Sequence, residues 1–248
     1  MNVKKSVSLK GLFFRELYLG RKTYLSFIIL VAVYGVVFSL VLLSMRIGNL
    51  ALMEDIEETR EGMELILMYF NAAMCAMLGM AGVEVTHLDL NTKWLGYIYG
   101  SPVKEEKYIA IKYIISFFFL LVGAVISVLF GLLFCRIHGT EFTAGNLAAI
   151  TCIITVAAMG ISCFMTLTFL FRNINTAAMV FSGIALVFFL GLVIYCIENS
   201  ITKLRIRDMS DTLMSLCKTI APFTPLIIIA VLFTGYFLSV KFAKRRYK

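Results

Sequence analysis

The chain has 248 residues, of which 60% are hydrophobic and 15% charged, with a mean hydropathy of +0.91. Soluble domains carry about 25% charged residues, so this balance excludes a water-soluble enzyme or binding module and points to an integral membrane protein. The net charge of +8 then belongs to contact with anionic lipid headgroups and not to nucleic acid.

A hydrocarbon core of roughly 30 Å takes about 20 helical residues. Six charge-free runs are that long: 24–45, 65–83, 113–135, 142–171, 174–197 and 219–240. With their flanks they give spans at about 24–45, 65–85, 108–135, 142–171, 174–197 and 222–242, expected to form one domain over 1–248. In lipid the backbone must satisfy its own hydrogen bonds, and the runs lack the alternating polarity of barrel strands, so all six are read as helices.

At the N-terminus, "SLKGLFFRELYLGRKTY" sets Leu9, Leu12, Phe13 and Leu17 at helical spacing, with Lys10, Arg15, Glu16, Arg21 and Lys22 assigned to the aqueous side. Residues 1–23 are expected to lie in the cytoplasmic interface as an amphipathic helix. No small-residue cleavage site follows these basic residues, and the first run exceeds a signal-peptide core, so it is expected to remain as a span. Beyond it, residues 46–62 carry five acids and read as a solvated outer loop.

The second run, "LILMYFNAAMCAMLGMAGVEV", is the least oily. Ala72, Ala76, Gly79 and Gly82 form a small-residue face that allows close backbone approach. Met74, Met77 and Met80 form a polarizable stripe beside it. Ordinary helix packing explains this; the sharper expectation is that Met74, Ala76, Met77, Gly79, Met80 and Gly82 serve a dimer interface or a path for hydrophobic cargo.

Next comes the longest polar interruption, "HLDLNTKWLGYIYGSPVKEEKYIAIKY", His87 to Tyr113, with residues 86–107 as the loop. Asn91 suits an N-cap and Gly100 a left-handed C′ position. Ser101 would cap a second helix with Pro102 at its first position and Glu105 and Glu106 against the positive end of the dipole. A short, capped helix joined rigidly to a span is suited to mechanical coupling with a soluble partner. Trp94, Leu95, Tyr97 and Tyr99 supply rigid contact area for such docking. They equally suit an aromatic belt that grips headgroups.

Farther on, residues 209–220 place Met209, Leu213, Leu216, Cys217 and Ile220 on one helical face, with Ser210 as an N-cap and Pro222 and Pro225 as a stop. This predicts a small amphipathic or re-entrant element at the outer surface before the last span. Of the 23 basic residues, 16 fall in segments 1–23, 86–112, 172–173 and 241–248. The positive-inside rule therefore sets both termini and the 86–107 loop in the cytoplasm. Cys75, Cys152 and Cys163 sit in apolar runs, while Cys135, Cys196 and Cys217 lie near the outer face, where one pair could oxidise; no disulfide framework or zinc spacing is present.

None of the six runs holds an ionisable residue of the kind that marks proton relays and ion paths. His87 and His138 lie at opposite faces, so no Ser-His dyad or metal cluster forms within one chain. No Gly-Lys dipeptide occurs, which excludes a P-loop. Energy for uphill movement is therefore expected from another subunit.

Asp89, then Lys93-Trp94, Gly100-Ser101-Pro102-Val103-Lys104, Tyr108 and Lys112-Tyr113, resembles the "D…W…SLPV…Y…KY" signature between the second and third spans of bacterial ABC-2 type permeases. Gly100 stands where leucine is common, and Lys104-Glu-Glu where Ser and Arg are frequent. The layout looks like the short permeases of Gram-positive exporters, including the type that exports phenol-soluble modulins. The resemblance implies a multi-pass plasma-membrane permease that is not itself an enzyme. It further implies pairing with a second copy or a paralogue and with two ATPase subunits, which would hold the ATP and magnesium; the chain itself would bind no cofactor or metal. ATPase docking would fall on Asp89, Lys93, Trp94, Leu95, Tyr97, Ser101, Pro102, Val103 and Glu105, and hydrophobic or amphipathic peptides would be exported. Rival readings are an ion-driven transporter or channel, and a membrane scaffold or sensor.

Overall fold

The structure is a computed structural model that describes residues 9–47, 70–91, 104–138, 141–199 and 214–245. Among these, 96% are helical and none is in a strand. The helices are α1 (Leu9–Leu19), α2 (Arg21–Ile47), α3 (residues 70–76), α4 (Ala81–Asn91), α5 (Glu105–His138), α6 (Ala144–Phe171), α7 (Ile174–Asn199), α8 (residues 214–220) and α9 (Thr224–Arg245). Tight 3-10 turns join α3 to α4 at Met77–Met80 and α8 to α9 at Ala221–Phe223. Six stretches are long and apolar enough to cross a membrane: Arg21–Leu40, Phe70–Leu90, Glu105–Arg136, Ala144–Phe171, Ile174–Gly191 and Met214–Lys244. The all-α, six-span architecture agrees with the expectation from sequence.

Lipid tails are as apolar as leucine, so burial alone does not hold spans together; close packing and interhelical hydrogen bonds must. Both are concentrated on α5 and α6. One core gathers Leu120 of α5 with Ile150, Ile154, Ala158, Ile161 and Met165 of α6, and with Ala72 and Ala76 of α3. A second gathers Leu12, Tyr24, Val31, Cys75, Leu78 and Val85 around Ile111, Ile115 and Phe119 of α5. By contrast α7 exposes Met179, Leu186, Val187, Phe188, Phe189 and Leu190, side chains suited to lipid.

Glycine sets the closest approaches. A Cβ on Gly123 of α5 would lie 2.1 Å from the carbonyl oxygen of Cys75, so only hydrogen fits between α5 and the end of α3. The chain tightens into the Met77–Met80 turn directly after this contact, a local change of pitch of the kind found at hinges. On α9, a Cβ at Gly235 would fall 2.0 Å from Ser162 Oγ of α6. Ser162 Oγ there donates to the Val231 carbonyl at 2.9 Å, and Thr166 Oγ1 reaches the Gly235 carbonyl at 3.3 Å. Hydroxyls thus stitch α6 to α9 where side-chain bulk is absent.

The helix ends differ in part from the expectations. Asn91 is the last residue of α4, whose polar residues are built into the bundle: Thr86 donates to the Gly82 carbonyl, and Asp89 is buried among partners. The short helix expected directly after Asn91 lies outside the described residues. The long helix α5 begins at Glu105 and not at Pro102. Lys104 stays outside it and its carbonyl accepts from the amides of Lys107 and Tyr108, which leaves Glu105 and Glu106 in the first turn against the positive dipole end. Before the last span, residues 214–220 form a short helix that passes into α9 across the 3-10 turn, with Ile220 and Thr224 both at right-handed helical angles. Pro222 is absorbed in that turn, where no amide is needed, and Thr224 Oγ1 donates to the Ala221 carbonyl at 2.7 Å.

Lys244, at the end of α9, pairs with Glu106 at the start of α5, and α1 packs on α5 near the foot of α4. The start of α5, the end of α9, α1 and the end of α4 therefore meet at one end of the bundle.

Replacing Gly123 by Ala is expected to cost about 1–3 kcal/mol through overpacking against the α3 backbone. Gly183→Ala, which meets nothing within 4 Å, should leave stability unchanged. Thermal unfolding in detergent, followed by intrinsic fluorescence or light scattering, compares the two.

Candidate functional site

Each turn of α1 presents one residue to the bundle: Leu12, then Glu16, then Gly20. Leu12 and Glu16 are buried to 6% and 0% exposure, with Phe13 and Leu17 packed alongside. On α4 the inward residues are Val85, Thr86 and Asp89, and on α5 Tyr108, Ile109, Ile111 and Lys112. Three inward faces, each carrying one buried charged residue, thus meet at one end of the bundle.

At their meeting point lies an ion cluster. The Lys112 ammonium, 0% exposed, donates to Glu16 Oε2 and, at 2.5 Å, to Asp89 Oδ2. Tyr108, one turn before Lys112, donates its hydroxyl to the same Asp89 oxygen at 2.7 Å. Its ring lies 5.1 Å from the ammonium, a favourable position for a cation. Arg15 closes the far side, donating to Glu16 Oε1 at 2.5 Å and lying 3.7 Å from Asp89 Oδ1. Two cations face two carboxylates, so the cluster is neutral when all are ionised, as burial of charge requires. Burial pushes the Glu16 carboxyl above the usual carboxylate range; Lys112 and Arg15 pull it back, and Asp89 adds to the rise.

Tyr113, the next residue on α5, points a different way. Its hydroxyl is 2.9 Å from Ser239 Oγ of α9 and 3.2 Å from Thr166 Oγ1 of α6, and it reaches the Ser162 carbonyl at 3.4 Å. Successive side chains therefore tie α5 to the N-terminal half through Lys112 and to the C-terminal half through Tyr113. Neither Glu16 nor Lys112 was singled out from the sequence as a site residue. The signal was present: Glu16 is the one acid in α1, placed in phase with Leu12, and Lys112 interrupts the apolar stretch "YIAIKYII".

The docking residues assigned from sequence divide in two. Lys93, Trp94, Leu95, Tyr97, Ser101, Pro102 and Val103 lie outside the described residues. Asp89, 4% exposed, has both oxygens engaged within the chain by Lys112, Tyr108 and Arg15 and so anchors the end of α4 internally. Glu105 opens α5 half-buried, within electrostatic reach of Arg172 and Lys244.

In the second-span stripe, Ala76, Gly79 and Gly82 are buried within the chain, Gly79 against Leu120 and Ile161 and Gly82 against Ser116, as ordinary helix packing requires. Met77 is 48% exposed, while Met74 and Met80 are half-buried. Cys75, Cys135, Cys152, Cys163 and Cys217 are free thiols; Cys217 has Cys152 as its neighbour. Among the described residues no group of His, Cys, Asp or Glu could hold a metal ion.

Removing the Lys112 charge strands two buried carboxylates, and Lys112→Met is expected to lose about 3–5 kcal/mol. This reads as a lowered Tm in detergent, partly restored by Lys112→Arg. A native carboxyl raised above its unfolded value binds more protons when folded. Glu16 therefore contributes less stability as pH climbs from about 4.5 through its folded pKa. Over that window the fall of Tm with pH should be shallower in Glu16→Gln than in the unaltered chain.

Residues 11–244 match the sequence profile described as "ABC-2 family transporter protein". A search of curated proteins and a search of solved structures each gave no match. A match that spans nearly the whole chain, on six apolar helices, shows the family: the chain belongs to the ABC-2 family and is a multi-pass membrane permease of an ABC transporter.

Proposed function

We propose that this chain is the membrane subunit of an exporter in which a separate ATPase delivers its stroke to the cytoplasmic segment between α4 and α5. Family membership carries partnership with ABC ATPase subunits. The observation that supports this entry point is Lys112, which holds Asp89 at the end of α4 beside Tyr108 at the start of α5. A loop sprung from two locked helix ends transmits force; one sprung from loose ends would absorb it. In this reading Lys93, Trp94, Leu95, Tyr97, Ser101, Pro102 and Val103 form the docking surface and Glu105 borders it. Two ATPase subunits would bind ATP and magnesium, and a second copy or a paralogue would complete the translocation path.

The cargo in this reading is hydrophobic or amphipathic, such as a peptide toxin or antimicrobial. Support comes from the absence of ionisable side chains in the middle of the apolar runs and from exposed Met77, whose flexible thioether adapts to variable apolar shapes.

The test is co-purification of the chain with an ATPase, followed by ATP-dependent uptake of a fluorescent amphipathic peptide into inverted vesicles. Trp94→Ala and Pro102→Gly are expected to lower permease-stimulated ATP hydrolysis at least fivefold with membrane insertion intact. An ATPase that never associates, or flux driven by an ion gradient in liposomes of this chain alone, would overturn the reading.

A further inference from the structure

The interfacial helix α1 has two distinct sides. Its outer side exposes Phe14, Tyr18 and Leu19, and the Arg21 guanidinium stacks 4.4 Å over the Tyr18 ring. Aromatic rings beside basic groups suit the headgroup zone of an anionic bilayer. Its inner side carries Glu16, which accepts from the buried ammonium of Lys112, and Arg15, which lies 3.7 Å from Asp89 Oδ1 in the same cluster. That ammonium also holds Asp89, two residues before the α4 helix ends. One cation therefore joins three elements, of which α1 lies on the membrane surface while α4 and α5 frame the cytoplasmic segment.

An attachment through lipid-facing side chains alone would let α1 float while α4 and α5 moved. Leu12 packs into the core against α4 and α5, but apolar contacts carry no fixed register; Glu16 adds one, since parting from Lys112 would leave a buried carboxylate and a buried ammonium each short of a partner. Gly20 extends the linkage: its amide donates to the Glu16 carbonyl and its own carbonyl accepts from Tyr24 of α2, both at 2.9 Å. Motion of α1 is thus passed on to the first span.

We propose that Lys112 is a positioning residue that locks α1 to the ends of α4 and α5, so that a stroke delivered at residues 92–104 drives α1 along the membrane surface. This rests on the exporter reading and adds a moving part to it: the interfacial helix is driven and not a passive float.

Spin labels on p-acetylphenylalanine, introduced in pairs at Phe14, Leu88 and Met179, which are all exposed, leave the native cysteines intact. In nanodiscs holding the full chain with about one-third phosphatidylglycerol, the Phe14–Leu88 distance should be narrow. It should broaden in Lys112→Met and narrow again in Lys112→Arg. A distribution in Lys112→Met as narrow as the original overturns the lock. If Lys112→Met does not insert, the triple variant Lys112→Met, Glu16→Gln, Asp89→Asn, which removes the mismatched charge, takes its place in the same comparison.

In the complex with the co-purified ATPase, trapping with ATP, magnesium and vanadate should shift both Phe14–Met179 and Leu88–Met179. Lys112→Met should lose only the first shift, with ATPase still bound, and peptide export should fall at least tenfold and recover to within threefold in Lys112→Arg. A Leu88–Met179 shift without a Phe14–Met179 shift in the unaltered complex would make α1 passive and overturn the proposal. If no ATPase binds, the exporter reading fails, and the nanodisc distances still decide the lock.

Discussion

A lysine ammonium withdrawn from water must be met by anions or give up its charge, and Lys112 is met twice, by Glu16 and by Asp89. These carboxylates stand 73 residues apart in sequence and on different helices. The requirement that each find the same cation fixes the rotation of α1, the depth at which α4 ends and the register of α5. Hydrocarbon packing does not supply that precision, since an apolar side chain slides past another at little cost. A charge displaced by one helical turn would be unpaired.

The rest of the bundle is arranged around the helix that carries this lysine. Lys112 and Tyr113 are adjacent, so α5 gives its two most connected polar side chains to opposite halves of the chain: Lys112 to α1 and α4, Tyr113 to α6 and α9. Farther along, Gly123 brings α5 into backbone contact with α3. The remaining outer surfaces, α7 above all, are left apolar and open. Polar and close-packed contacts are thus densest at the ion cluster and the α5–α6 centre and give way to apolar surface toward the periphery.

Much of this layout is legible in the sequence. Hydropathy gives the six spans because the length rule is strict, and the run at 142–171 stands close to the observed Ala144–Phe171. Helix ends are less legible. Pro102 has the local chemistry of a helix start, but the structure decides otherwise: the single Lys104 carbonyl accepts from Lys107 and Tyr108 and opens α5, while α4 runs on past Asp89, which meets Lys112, to Asn91. The ion cluster itself was hidden for another reason. Glu16 looks like any surface acid in a basic helix, and Lys112 like any flank charge before a span. Only their common phase with buried neighbours distinguishes them, and phase on one helix says nothing about which other helix it faces. Pro222 reads as a stop, and the α-helical run of residues 214–220 does end at the 3-10 turn that contains it, where no amide is demanded.

The linkage of α1 also bears on the order in which the protein is made. α1 carries Glu16 beside Arg15, and α2 follows after the single residue Gly20. The ammonium that completes the cluster lies 96 residues later, beyond the first and second spans. Glu16 therefore meets Lys112 only once α5 has been synthesised and has come to lie beside α1. Closure of the cluster thus requires three separate elements of the chain, α1, α4 and α5, to be in register together.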